Sequence, residues 1–309
     1  MARGLRKRKH ARRVTDHFEH AAKARDLYLQ SATAASLRAD WKAALTVARH
    51  QVTEALQATD YLRDVAGGLL YAGIHMIVLR AIAAPPISQD QFKLICSAYS
   101  KGSEKPNKAV AAGAAAAVAK AIRPYFDPVL TPWLTHGRAP STAQLRRLLW
   151  SVSPVIALQQ LSTARRNRLA AEQEQAVIQL LRKNGWKRDP SKMIDARGDL
   201  LPRHFMHKTR FATKTQPQEV DIACGLPGSY VLAMECKVTN DETNSVKRIN
   251  DVLKKANAWK EHWGSFVQTA ALLQGVIAYK DVKRLLDSGV KVFWSHDLDS
   301  FEAWLKESE

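Results

Sequence analysis

The stretch Ser229–Asn240, SYVLAMECKVTN, decides how the second half of the chain is interpreted. It is apolar enough for a buried strand, yet Glu235 and Lys237 stand two residues apart within it. Side chains alternate along a strand, so these two charged groups share one face, while the apolar residues of Tyr230–Val238 share the other and build the core. On a helix the two charged side chains would diverge, so their pairing favours a strand.

The sequence around this stretch alternates between strands and helices. A strand over Glu219–Cys224 and the turn Gly225–Ser229 precede the charged strand, and two strands joined by so short a turn form an antiparallel hairpin. This order predicts an α/β (α+β) domain with a mixed β-sheet flanked by helices. The elements predicted downstream are helix Ser245–His262, strand Ala270–Tyr279, a short helix over 280–289, strand Val290–Ser295 and a closing helix over 297–305.

The register of the hairpin brings a second acid to the charged face. A five-residue turn pairs Cys224 with Tyr230 and sets Asp221 opposite Ala233. Asp221 then lies on the same face of the sheet as Glu235 and Lys237, one diagonal step from Glu235. A slip of one residue in this register would move Asp221 to the other face.

Two carboxylates and an ammonium on one patch predict a metal-dependent site. Like charges repel at close range unless a cation lies between them, and Mg²⁺ binds through one or two carboxylates. Asp221 and Glu235 are therefore the predicted metal ligands. Lys237 is predicted to orient or deprotonate the attacking water, or to offset charge on the phosphate. With a metal that acidifies water and stabilises a leaving oxygen, this set of groups hydrolyses a phosphodiester.

An acid-x-Lys pair is a weak signal by itself, because the chain also contains Asp40-x-Lys42 and Asp281-x-Lys283. The first lies in a helical segment and the second begins a short helix, so neither follows an acid-bearing strand. The alternative interpretation of Glu235 and Lys237 is an ion pair on an exposed strand face.

The charge of the chain points to a polyanionic partner. The 309 residues carry a formal net charge of +18, which favours nucleic acid over an acidic membrane surface. Residues 1–13 contain seven Lys or Arg and no acid between Arg3 and Arg13. We predict a flexible basic arm that lies along a nucleic-acid backbone; the alternative is a solvated tail.

Residues 14–160 are predicted to form a helical domain, because alanine is abundant and apolar residues recur every three or four positions. It offers no catalytic constellation, and we assign it to DNA grip or dimerisation. The apolar segment Leu69–Ala84 predicts a buried helix rather than a membrane span, because it is short and contains His75 and Arg80. Further helices are predicted from Ser141-Thr142 and over Thr163–Trp186, the second within a catalytic domain over 161–309.

Cys96, Cys224 and Cys236 form no C-x-x-C pair, which argues against a disulfide framework or a thiolate zinc site. The last two lie in apolar runs that are typical of a core. No secretory signal is visible. These features predict a soluble, cytoplasmic protein.

The site pattern resembles the PD-(D/E)XK nuclease superfamily. Asp221 is followed after thirteen residues by Glu235-Cys236-Lys237, although Val220 stands where the superfamily often has proline. The resemblance implies a nuclease core over 161–309 and a further acid on the upstream helix. Glu174 is our choice for that acid and Glu172 its competitor, supporting the metal or the lysine; the alternative is an exposed helix glutamate.

Met234–Asn250, MECKVTNDETNSVKRIN, resembles the type II restriction endonucleases of the XamI-like group, and the similarity covers roughly Glu172–Trp263. The resemblance implies specific cleavage of double-stranded DNA with Mg²⁺, or Mn²⁺ as a substitute, by a homodimer at a palindrome. It also implies a bacterial, nucleoid-associated protein. A cognate DNA methyltransferase is expected in the same system, but not as a bound subunit.

Predicted DNA contacts flank the hairpin on both sides. After it, polar side chains and a helix start can bind phosphates or base edges. Before it, the basic segment Arg203–Gln216 can contact the DNA backbone, while His204 and His207 are too few to predict a zinc site. A helix cap and a solvated loop are the respective alternatives. The predicted DNA-binding residues are Asn240, Thr243, Asn244, Ser245, Lys247, Arg248, Lys208, Arg210 and Lys214.

Two other functions stay open at this point. One is a repair or recombination nuclease that recognises DNA structure rather than sequence. The other is a non-catalytic nucleic-acid-binding protein in which the same carboxylates pair only with lysines.

Overall fold

The computed structural model describes the backbone of residues 2–308 and the side chains of residues 17–308. The predicted basic arm, residues 1–13, lies outside the residues whose side chains are described. Contacts divide the chain into two compact units, one of Met1–Thr33 with Arg165–Glu309 and the other of Ala34–Ala164. Residues 17–33, which the sequence assigned to the helical domain, thus group with the unit that contains the sheet. The role predicted for the helical domain stays a prediction.

Helices make up most of the chain. Within residues 2–308 the α-helices are α1 (Ala2–Ser31), α2 (Ala34–Ala58), α3 (Val65–Tyr71), α4 (Met76–Ile82), α5 (Gln89–Ile95), α6 (Ala112–Ile122), α7 (Pro132–His136), α8 (Thr142–Lys183), α9 (Glu242–Trp263), α10 (Tyr279–Asp287) and α11 (Leu298–Glu307). None of them, in the part of the chain described, is long and apolar enough to cross a membrane.

Two helix predictions differ from the structure. The buried segment Leu69–Ala84 is broken between α3 and α4, where the N–H of Gly73 donates to the carbonyl of Lys108 at 2.7 Å instead of continuing the helix. Conversely, α8 is one continuous helix where the sequence predicted two. Val152 and Ile156 are buried at helical spacing, so packing carries α8 through Pro154.

The sheet belongs to the unit of Met1–Thr33 and Arg165–Glu309, and it is mixed as predicted. Within the described residues it has seven strands in the order β1-β3-β4-β5-β6-β7, with β2 also beside β3. β4 pairs antiparallel with both β3 and β5, whereas β5 pairs parallel with β6, and β6 with β7. The strands are β1 (Lys187–Arg188), β2 (Met193–Ile194), β3 (His204–Phe211), β4 (Gln218–Leu226), β5 (Tyr230–Thr239), β6 (Val267–Gly275) and β7 (Lys291–Trp294).

Strand β3 was not predicted from the sequence, where a solvated loop was the alternative to a DNA contact for Arg203–Gln216. Phe205, Thr209 and Phe211 are buried in β3, while the charged side chains between them are partly or fully exposed. The basic residues hid the alternation that marks a strand half covered by the core.

The β4–β5 hairpin has a register two residues away from the predicted one. Tyr230 pairs with Leu226, because β4 continues through the first part of the expected turn and leaves only Pro227–Ser229 as the connection. Side-chain direction repeats every two residues, so this shift leaves every side chain on its predicted face. Extending the ladder by one residue sets Asp221 opposite Glu235.

Both faces of the sheet are covered. Leu232 and Met234 pack with residues of α8 and α11, and Cys224 and Cys236 lie in the same apolar cluster. On the opposite face of β5, Ala233 packs with Trp259 and Trp263 of α9. The charged face that carries Glu235 and Lys237 therefore lies beneath α9 rather than in open solvent.

Gly275 allows the ends of β5 and β6 to approach each other beside the charged face. Its φ is +92°, and a Cβ there would collide with the carbonyl oxygen of Thr239. Gly275→Ala should lower the free energy of unfolding by about 2 kcal/mol or more, from strain and collision together. Denaturant titration measures this loss.

Gly198→Ala is the matched control, because Gly198 has a φ of +91° and open space where its Cβ would stand. It should lose only about 1–2 kcal/mol, the strain of the left-handed backbone alone. Equal losses in the two variants would show that the approach to Thr239 imposes no constraint.

Candidate active site

Asp221, Glu235 and Lys237 converge on adjacent strands. The Nζ of Lys237 lies 2.6 Å from Oε2 of Glu235. Oδ2 of Asp221 accepts a hydrogen bond of 2.8 Å from the backbone N–H of Cys236, the residue between the other two. The hairpin thus brings together the three side chains that the sequence placed on one face, and their catalytic roles stay a prediction.

The carboxylate of Glu235 is removed from water and held by two lysines. Its side chain has 0% exposure, and Oε2 accepts from Lys255 of α9 at 2.9 Å as well as from Lys237. Lys237 also lies 3.3 Å from Asp251 on α9. Oε1 of Glu235 is buried and has no hydrogen-bond partner among the described residues. Only one of the two carboxylate oxygens is therefore occupied.

The charges of this cluster shift one another's ionisation. Burial raises the pKa of Glu235, and Asp221 raises it further, against the opposing effects of Lys237 and Lys255. Burial would lower the pKa of Lys237, but Glu235 and Asp221 hold it above its ordinary value. Burial would likewise raise the pKa of Asp221, yet Lys237, Lys208 and the N–H of Cys236 bring it below its ordinary value. Each group thus stabilises the charged form of its neighbours of opposite sign.

Glu174 reaches the cluster through Lys208. It is buried on α8, and its Oε1 lies 2.5 Å from the Nζ of Lys208, which in turn lies 2.7 Å from Oδ1 of Asp221. The other oxygen of Glu174 is 2.8 Å from Nε2 of His207. Glu172, its competitor, is exposed and lies 3.9 Å from Arg168. Of the two candidate acids, the structure places Glu174 beside the other site residues.

Lys208 has an unusual backbone for a residue within a strand. Its φ is +55°, although His207 and Thr209 on either side keep their pairing with Ile222 and Val220 of β4. A left-handed conformation costs a residue other than glycine about 1–2 kcal/mol. Burial would lower the pKa of Lys208, but Asp221 and Glu174 raise it. The sequence predicted a DNA contact here, which stays a prediction; in the structure this ammonium contacts two carboxylates.

The other predicted DNA-binding residues lie mostly on the surface. Asn240, Thr243, Asn244 and Lys247 are exposed around the start of α9, where Asp241 caps the helix by accepting from the N–H of Asn244. Arg248 is half-buried, and Arg210 and Lys214 are exposed. Thr243 and Lys247 line an open depression of about 550 Å³ together with Glu242, Val246, Asn250 and Lys280.

Ser245 is the exception among these residues. It is fully buried, and its hydroxyl lies 3.4 Å from Oδ2 of Asp281. A hydroxyl buried in this way is turned away from solvent, so the structure lends no support to a DNA contact at Ser245, and that contact stays a prediction. The position of Ser245 on the inner side of α9 explains the difference.

Sequence interpretation missed the contribution of α9 to the site. Asp251 and Lys255 stand four residues apart, so they lie on one face of the helix, and both contact the charged strand β5. The acid-to-lysine spacing was visible in the sequence. Lys254 and Lys255 are adjacent, however, and the sequence did not show which of them α9 directs toward the sheet.

The residues present can hold a hard divalent cation through two carboxylates. Among residues 17–308, no three His, Cys, Asp or Glu side chains form a group that could hold a metal ion. Asp221 and Glu235 nevertheless fit Mg²⁺, which prefers carboxylate oxygens and keeps several waters. The unpartnered Oε1 of Glu235 is the specific observation in favour. Outside this pair of carboxylates, Nδ1 of His204 lies 2.9 Å from Oδ1 of Asp189.

The family model of the XamI restriction endonuclease matches residues 60–294. The chain belongs to this family. The match extends well beyond the similarity over Glu172–Trp263 that the sequence indicated, and it includes most of the helical unit. Family membership makes the protein a DNA endonuclease of a type II restriction system, with DNA as its substrate.

Two individual comparisons accompany the family match. The type II restriction enzyme XamI of Xanthomonas campestris pv. amaranthicola is 31% identical over 199 residues, which cover 60% of this chain and 67% of the relative. The solved structure of protein VC1899 from Vibrio cholerae is 11% identical, with 86% of this chain and 57% of that chain covered. Its TM-score of 0.28 is too low to carry an argument.

The ion pair between Lys255 and Glu235 gives a stability prediction. Lys255→Met leaves the buried carboxylate with Lys237 as its remaining cation, so the free energy of unfolding should fall by about 1–3 kcal/mol. Denaturant titration at neutral pH measures the change. Lys254→Met is the matched control, because Lys254 is the exposed neighbour on the same helix, and it should change stability by less than about 0.5 kcal/mol. Identical curves for the two variants would mean that Lys255 does not neutralise Glu235.

Proposed function

We propose that this protein cleaves double-stranded DNA at a specific, palindromic site with Mg²⁺, or Mn²⁺ in its place, and that it acts as a homodimer. The observation that carries the proposal is the convergence of Asp221, Glu235 and Lys237 on two paired strands in a chain of the XamI family. Glu174 supports this site through Lys208.

Asp221 and Glu235 are the proposed ligands of the cation. Glu235 offers Oε1, which has no partner among the described residues, while Oε2 stays with Lys237 and Lys255. When bound, a divalent cation supplies Lewis acidity toward a phosphate oxygen and acidifies a water molecule. Lys237 orients the attacking water beside the phosphate, because its ammonium is fixed by Glu235 and Asp251.

The exposed polar and basic residues around the start of α9 are the proposed DNA contacts on one side of the site, and Arg210 and Lys214 those on the other. Lys247 and Lys280 line the same depression, where the ammonium groups favour phosphate. The net charge of +18 supports affinity that depends on counterion release and weakens with salt.

Glu235→Gln tests the catalytic assignment with little change of shape. The amide can still accept a hydrogen bond, but it lacks the charge that binds a divalent cation, so cleavage of plasmid DNA with Mg²⁺ should fall by at least about 100-fold. DNA binding, measured by fluorescence anisotropy, should stay within about threefold, because Lys and Arg contacts with phosphate supply most of the affinity.

The control for this experiment is Glu219→Gln, which changes an exposed acid on β4 that pairs with Arg210. It should cleave at the rate of the unchanged protein. A Glu235→Gln variant that still cuts at that rate would remove Glu235 from the active site.

Digestion of plasmid DNA and mapping of the ends tests the activity as a whole. Discrete fragments with ends related by two-fold symmetry support a palindromic site and a homodimer, whose two-fold axis would match that of the DNA. Sedimentation with and without a DNA duplex measures the oligomeric state. DNA methylated at the same site by the cognate methyltransferase should resist cleavage.

Two other results of the same digestion would contradict the proposal. Cleavage confined to branched substrates would favour a repair or recombination nuclease. Binding without cleavage would favour a non-catalytic DNA-binding protein in which the lysine contacts of Asp221 and Glu235 are only structural.

A further inference from the structure

We propose that Lys208 is a positioning residue whose ammonium occupies the metal-facing oxygen of Asp221 and is displaced from it when a divalent cation binds. The inference rests on the proposed function of Asp221 as a metal ligand. It gives Lys208 a role that is distinct from that of Lys237, the lysine of the site motif.

The contacts of Asp221 define which of its oxygens a cation would use. Oδ2 is fixed by the backbone N–H of Cys236 at 2.8 Å, within the β4–β5 hairpin. Oδ1 is the remaining oxygen, and the Nζ of Lys208 lies 2.7 Å from it. A cation on Asp221 therefore competes with Lys208 directly, whereas on Glu235 it finds Oε1, which has no hydrogen-bond partner among residues 17–308.

The side chain of Lys208 is tethered but able to move. Glu174 is buried and holds Nζ at 2.5 Å, and its other oxygen lies 2.8 Å from His207, so this end of the contact is fixed. The side chain of Lys208 is 54% exposed, so its ammonium can leave Asp221 toward solvent without crossing the core. Lys208 can thus release Asp221 and remain paired with Glu174.

The backbone at Lys208 indicates that this placement is specific. The left-handed φ of +55° occurs within β3, and Oγ of Ser191 donates to the carbonyl oxygen of Lys208 at 2.7 Å. Residues other than glycine keep such conformations where the surroundings impose them, and these positions cluster at functional sites. An ordinary surface lysine on a strand would need no such backbone.

Mg²⁺ titration by calorimetry, without DNA, tests the proposal on the full chain. Lys208→Asn removes the ammonium and tolerates the left-handed backbone. It should bind Mg²⁺ more tightly than the unchanged protein, on the order of tenfold, because one charge-assisted hydrogen bond no longer has to be given up. Lys208→Arg keeps the competing charge and should not gain affinity.

Lys192→Asn is the matched control, because the side chain of Lys192 is 56% exposed, much like that of Lys208, and it pairs with Asp199 outside the site. Its Mg²⁺ affinity should equal that of the unchanged protein. Lys208→Gly, which also fits the backbone, serves as a second variant in case the asparagine variant does not fold by circular dichroism.

The outcomes separate this inference from the proposed function. Mg²⁺ affinity in Lys208→Asn and Lys208→Gly that is equal to or weaker than that of the unchanged protein would overturn the role of Lys208. Failure of the unchanged protein to cleave DNA with Mg²⁺ would overturn the proposed function instead. A gain in affinity in the variants without the ammonium, and not in Lys208→Arg or the control, supports displacement, since loss of a merely structural contact would not tighten metal binding.

Discussion

A carboxylate without exposed surface has to be neutralised, and the arrangement around Glu235 follows from that requirement. Strand β5 supplies Lys237 from the same face two residues on, and α9 supplies Lys255. Val252 and Trp259 are buried on α9, so apolar packing sets the face of the helix that delivers Lys255. The helix that covers the sheet is therefore part of the site, and its packing and the charge balance of Glu235 depend on each other.

The face of the site could be predicted from sequence although the register could not. The turn was expected to begin at Gly225, whereas β4 continues to Leu226 and shifts the pairing by two residues. Because side chains alternate with a period of two, this error left Asp221 on the face of Glu235 and Lys237. The register of the structure also brings the two carboxylates closer than predicted, since Asp221 lies opposite Glu235 instead of one diagonal step away.

The contributions that residues outside the β4–β5 hairpin make to the candidate site could not be predicted from the sequence. Nothing in Arg203–Gln216 marked Lys208 as the residue with a left-handed backbone, a conformation that glycine or asparagine would normally signal. The same basic residues hid the alternation that would have predicted β3 as a strand. Glu174 could be chosen as a candidate because the resemblance to the PD-(D/E)XK superfamily implies an acid on the upstream helix, but its link to Asp221 runs through Lys208 and required the fold.

The charge of the whole chain and the charge of the site point in opposite directions. The net charge of +18 attracts DNA, yet the lysines nearest the candidate site already have carboxylate partners. Among the described residues, this cluster contains Asp221, Glu235, Glu174, Asp251, Lys208, Lys237 and Lys255. Four carboxylates against three ammonium groups leave one negative charge in excess, which would repel a phosphodiester. A bound divalent cation would reverse that sign, which is in keeping with the metal-dependent reaction that we propose.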